Sequence, residues 1–201
     1  MTAGVDAYPQ SEALLRDISA EFPSFRIVAK AGDRLSSVID LALRLVTAGA
    51  QRHYLTRYHT VLGYTLYVAP AWQSMHDVAR VILLRHERVH LRQRRRYTFP
   101  LFAFLYLVPL FPLGLSYGRA RLEWEAYRET LRATAELKGL LSLEEPGLRR
   151  EIVRRFVGGD YGWMWPFPTA INRWFDQAVQ ELAKEQAGPA GTTERDALAG
   201  R

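Results

Sequence analysis

Two histidines with a glutamate between them are the residues of this chain most suited to chemistry: His86-Glu87-Arg88-Val89-His90. On a helix, a spacing of four stacks both imidazoles on one face, one turn apart, within reach of a single ion. Neutral imidazole suits zinc, and a tetrahedral zinc site accepts two such ligands. Glu87 projects about 100° further round the helix, beside the ion rather than onto it. A carboxylate there stands where a base takes a proton from metal-activated water. The chemistry implied is hydrolysis, with Glu87 as general base.

A third ligand has to come from elsewhere. The chain contains no cysteine, so thiolate sites and disulfides are excluded and the ligand is His, Asp, Glu or water. The segment Arg119-Ala120-Arg121-Leu122-Glu123-Trp124-Glu125-Ala126-Tyr127 supplies two carboxylates. Arg119, Glu123 and Tyr127 follow one another at i, i+4, i+8 and share a helix face, while Glu125 points nearly the opposite way. Spacing alone leaves Glu123 and Glu125 both open.

The two motifs together, His86-Glu87-x-x-His90 and Glu123-Trp124-Glu125-Ala126-Tyr127, resemble the gluzincin metallopeptidases. The likeness is to the group containing the CAAX-processing and heat-shock membrane proteases, and it runs over about 54–132. The second motif of that group is E-x-x-A-D, and its first Glu binds zinc. The resemblance therefore implies Zn2+ as cofactor, with His86, His90 and Glu123 as its ligands. It also implies a zincin-like fold and cleavage of peptide bonds in a protein or peptide substrate. Tyr127 is a departure. It occupies the place of the Asp, which in the family partners a zinc-binding His. A Tyr hydroxyl can hydrogen-bond an imidazole but brings no negative charge.

Other residues are candidates around such a site. Gln93 lies one turn beyond His90, and Arg119 one turn before Glu123. Tyr161, in an aromatic run with Trp163, Trp165 and Phe167, is the best hydroxyl there to face an oxyanion. The stretch TVLGYTLYVAP is similar to the strand whose exposed edge takes up peptide by strand addition in zincin-type enzymes. His53, His59 and His76 have no partner at ligand spacing.

The elements that must carry these groups read as one mainly helical α+β domain over 1–184, with a small sheet before the active-site helix. A short helix capped by Ser11 runs to about Glu21. A short strand spans Phe25 to Lys30. A second helix opens at Asp33, with an apolar stripe of Leu35, Val38, Ile39, Ala42, Leu45 and Val46. Arg52 to Pro70 holds one or two strands, with Gly63 at a turn or bulge. The active-site helix runs from about Trp72 to Arg96. The stripe of Val78 and Ile82 leads up to the two histidines and would face the interior. Further helices cover about Ser116 to Lys138, Leu148 to Phe156 and Ala170 to Lys184. Residues 185–201 are polar, contain Gly and Pro, and are expected to be disordered.

Length and composition fit this reading: 201 residues suit one domain with a real core, and about half are hydrophobic. The net charge is +6, a basic balance that serves solubility as readily as binding. Arginines at Arg92, Arg94, Arg95, Arg96, Arg149, Arg150, Arg154 and Arg155 come without a recognised nucleic-acid motif. Nucleic acid is therefore not the expected partner, and a DNA-associated protease stays an alternative. A second alternative is a zinc-binding assembly module that has lost catalysis, suggested by Tyr127. The uncharged stretch 99–117 is long enough to span a bilayer. Pro100, Pro109 and Pro112 break a straight helix there, so a buried or interfacial helix–loop element is expected, with membrane contact the alternative. No signal peptide is visible, and a cytoplasmic location, with or without membrane association, is expected. Oligomeric state leaves no mark on the sequence.

Overall fold

The structure is a computed structural model that describes residues 9–31, 59–97, 116–158 and 164–187. It is mainly helical, with one three-stranded sheet among the described residues. The expected helix from Asp33, His53, most of the stretch 99–117, Tyr161, Trp163 and most of the tail lie outside the described residues.

Helix α1 (Pro9–Glu21) leads into strand β1 (Arg26–Ala29). Strands β2 (Thr60–Leu62) and β3 (Thr65–Val68) form a hairpin whose turn residues are Gly63 and Tyr64. Gly63 sits at φ +62°, a conformation that a residue with a Cβ adopts only with strain. The sheet order is β1-β3-β2, with β1 parallel and β2 antiparallel to the central strand. All four residues of β3 are buried. β3 is paired on both sides, so only β1 and β2 have a side facing away from this sheet.

Ser11 does not cap α1. The helix begins at Pro9, and Ser11 lies buried in its first turn. The cap comes from far along the chain. The Asp77 carboxylate accepts the N–H groups of Gln10 at 3.1 Å and Ser11 at 3.0 Å, donors that a helix start leaves without an intrahelical partner. Asp77 opens helix α2 (Asp77–Arg96). That helix starts five residues later than expected from its apolar pattern, because Pro70–Trp72 forms a separate 3-10 turn. At the other end of α1, Glu21 accepts from Arg92 at 2.8 Å and from Arg88 at 2.6 Å. The two helices therefore lie side by side in parallel, joined at both ends.

Helix α3 (Tyr117–Lys138) runs antiparallel to α2. Gln93 meets Leu122, and Arg85 meets Glu129 and Glu136. A 3-10 segment, Leu140–Glu144, leads to α4 (Pro146–Val157) and then α5 (Pro168–Ala187). Gly139, at φ +86°, ends α3 where a side chain would be strained.

Two hydrophobic clusters follow from this order. One joins α1, the sheet and α2 through Ile18, Phe22, Leu66, Trp72, Leu84 and Leu91. The other joins α3, α4 and α5 through Trp124, Tyr127, Leu131, Phe156, Ile171 and Phe175. The α2–α3 contact lies between them. Among the described residues, no helix is long and apolar enough to cross a membrane.

Candidate metal centre

His86, His90 and Glu123 converge at the contact between α2 and α3. One ligand atom from each lies within 4.8 Å of the others. The two Nε2 atoms stand 3.2 Å apart, and His90 Nε2 is 3.7 Å from Glu123 Oε2. Two ligands each about 2.0–2.1 Å from a tetrahedral zinc stand roughly 3.3 Å apart, so the spacing fits one small ion. Glu125 is on the exposed side of α3 and is not part of this group.

The second nitrogen of each ring fixes its tautomer. Thr130 donates its hydroxyl to the Ala126 carbonyl at 3.2 Å, and so accepts from His86 Nδ1–H at 2.9 Å. The Gln93 amide donates to the Leu122 carbonyl and to Glu125 Oε2, both at 2.9 Å. Its Oε1 is thereby left to accept from His90 Nδ1–H, also at 2.9 Å. With hydrogen on both Nδ1 atoms, both Nε2 lone pairs face the convergence point. Such orientation of imidazoles by outer partners is a property of metal sites. Both partners here are neutral groups.

The electrostatics favour one added cation. Burial, and then the charge of His90, hold His86 down to about 3. Burial also works against a charge on His90, but Glu123, Glu87 and the Gln93 hydrogen bond outweigh it and leave His90 raised. Two imidazoles and a buried carboxylate form a donor set that suits a divalent transition ion.

Glu87 is 6% exposed and lies on the buried stripe of α2 with Leu84 and Leu91. The sequence reading put the histidine stripe, with Val78 and Ile82, toward the interior. The histidines do face inward, in the α2–α3 contact with the His90 side chain 11% exposed, and the adjoining stripe of Val81, Leu84, Glu87 and Leu91 is buried more deeply. Desolvation raises Glu87 to about 7. The His90, Arg155 and Lys30 charges oppose that rise, and Glu123 adds to it. A carboxylate held near neutrality matches the task of a base that must later return its proton.

The structure sorts the remaining candidates. The Tyr127 ring packs edge-on against His86, with centroids 4.9 Å apart, and its other side meets Phe156 at 5.5 Å. Arg119 is half-buried one turn before Glu123. Nδ1 of His86 pairs with Thr130 and Nδ1 of His90 with Gln93, as expected for Gln93. His59 accepts from the Ala69 N–H through Nδ1 at 3.4 Å, and burial lowers it to about 4. His76 precedes α2 and is exposed. Sequence reasoning missed Thr130, although Glu123, Tyr127, Thr130 and Thr134 form one stripe of α3 at i, i+4, i+7, i+11. It also missed Lys30 and Arg155, which come from β1's end and α4, and no local pattern marks them.

No protein-family model matches the chain, and neither the curated proteins nor the solved structures yield a match.

Proposed function

We propose that the protein is a zinc-dependent metallopeptidase of gluzincin type, with His86, His90 and Glu123 as ligands and Glu87 as general base. The observation that carries this reading is the convergence of three ligand groups within 4.8 Å, with the buried Glu87 beside them. When bound, zinc supplies Lewis acidity that polarises a carbonyl and acidifies water. The protein's own residues do the rest. Gln93 and Thr130 aim the imidazoles, and burial holds the Glu87 carboxylate ready to receive a proton from water and to pass it to the leaving amine. The edge of β2 turned away from β3, unpaired among the described residues, is the proposed place for an extended substrate backbone, which would gain affinity there with little demand on sequence.

A second reading is a zinc-holding module without turnover. It is favoured by the neutral partners on both histidines and by Tyr127 in the place of an Asp. Metal content by elemental analysis and turnover of a peptide library separate the two. For the enzyme, Glu87→Gln keeps about one zinc per chain while turnover falls by at least about two orders of magnitude. Glu123→Ala loses zinc, and Glu125→Ala keeps it. Zinc without turnover in the wild type supports the module. No zinc in the wild type, even when supplied, removes both.

A further inference from the structure

On the flank of the α2–α3 contact lies a groove of about 420 Å³, lined by Val89, Arg92, Gln93, Arg96, Glu125, Arg128, Glu129 and Arg132. That volume is in the range of sites for small ligands. Its arginines come in two pairs at i, i+4, so each pair shares one helix face. Arg92 and Arg96 are on α2, and Arg128 and Arg132 are on α3.

The groove's charge is not balanced from within. Four arginines against two glutamates leave a lining of +2. Both glutamates are also engaged at the wall. Glu125 accepts from Gln93 at 2.9 Å, and Glu129 accepts from Arg85 at 2.6 Å and lies 3.8 Å from Arg132. The nearer ion partners of three arginines come from outside the lining: Glu21 for Arg92, Glu181 for Arg128 and Glu185 for Arg132. Each such pairing engages only part of a guanidinium with five N–H donors. The Arg96 guanidinium lies 5.8 Å from the Tyr97 ring centre. The N–H donors that these pairings leave over suit a ligand with several anionic oxygens, held by forked, charge-assisted hydrogen bonds.

We propose that this groove is a second binding site, adjoining the metal centre through Gln93, for a small ligand bearing a phosphate or diphosphate group. The site does not depend on what the metal centre does. Inorganic pyrophosphate is the probe, titrated calorimetrically into the full chain. Because pyrophosphate also seeks metal ions, the titration is run on the wild type and on His86→Ala. The expected result is saturable binding, one per chain, in both, weakening as salt is added. Arg96→Gln/Arg128→Gln weakens it by at least about tenfold, and Arg96→Gln alone, which leaves every inter-helix ion pair in place, by about threefold or more. Arg150→Gln, an exposed charge on α4 outside the groove, leaves binding unchanged. The proposal is overturned by lack of saturable binding in the wild type or by its loss in His86→Ala. It is also overturned by undiminished affinity in the Arg96 variants, or by an equal loss in Arg150→Gln.

Discussion

The two histidines of the candidate centre are each held by a hydrogen bond at Nδ1, and each bond has a measurable consequence. Thr130 accepts from His86 and Gln93 from His90, both at 2.9 Å. Without its acceptor, an imidazole is free to turn or to move its hydrogen to Nε2, which removes the lone pair a metal needs. Thr130→Val keeps the side chain's shape and removes the acceptor. Gln93→Leu does the same at His90 and also leaves the Leu122 carbonyl without its side-chain donor. Each substitution is expected to weaken zinc binding by about 10–100-fold, measured by competition with a chromophoric chelator. Unchanged affinity in both would show that the rings are held by packing alone. The two histidines and Glu87 were legible in the sequence because one helix carries them at a fixed period. Thr130 was not, because its partner lies across a helix–helix contact whose register no local pattern states.

At the scale of elements, α1 is fastened to α2 by charge as much as by packing. Burial alone would raise Asp77, but the Ser11 hydroxyl and the N–H groups of Ser11 and Gln10 outweigh it and hold it below its ordinary value. The Glu21 carboxylate is held down from 4.5 to about 2, first by Arg92 against the cost of burial, then by Arg88. Both folded-state values are depressed, so both groups stabilise the fold above their unfolded pKa values. That contribution is lost as pH falls through the folded ones. The window for Glu21 therefore opens near 4.5 and closes near 2. Glu21→Gln is expected to lower the melting temperature at pH 7 and to flatten its fall with acid. Asp77→Ala, which removes the cap, costs about 1–2 kcal/mol at neutral pH. Thermal melts across the acid range test both, and a variant whose acid profile matches the wild type's would refute the assignment for that residue. The sequence pointed to a helix here but gave the cap to Ser11. The group that caps α1 is on another helix, and only the parallel packing of α1 on α2 brings it there. Strand β3 was visible as a run of Thr, Leu, Tyr and Val, yet its central place depends on pairing with β1 from far earlier in the chain.

For the whole molecule, the candidate metal centre stands between two hydrophobic clusters, with His86 and His90 on α2 and Glu123 on α3. α2 contributes Leu84 and Leu91 to the cluster with α1 and the sheet. α3 contributes Trp124, Tyr127 and Leu131 to the cluster with α4 and α5. An ion held by both helices ties the two clusters together in the folded state and gains nothing comparable in the unfolded chain. Free zinc at about 100 times its dissociation constant should therefore stabilise the fold by about 2.7 kcal/mol, which is roughly 5–10 °C in melting temperature for a chain of this size. Hydrogen exchange should slow on both sides of the contact, in Leu84 to Leu91 of α2 and in Glu123 to Leu131 of α3, because opening either helix away from the other breaks the site. His86→Ala should melt at one temperature with or without zinc. Phe156→Ala, which empties the pocket behind Tyr127, should cost about 3–5 kcal/mol yet keep an upward shift with zinc, since it removes core and no ligand. A wild-type protein that carries one zinc per chain but melts alike with and without it would mean that the ion binds folded and unfolded chain equally, which refutes a site built by bringing α2 and Glu123 together.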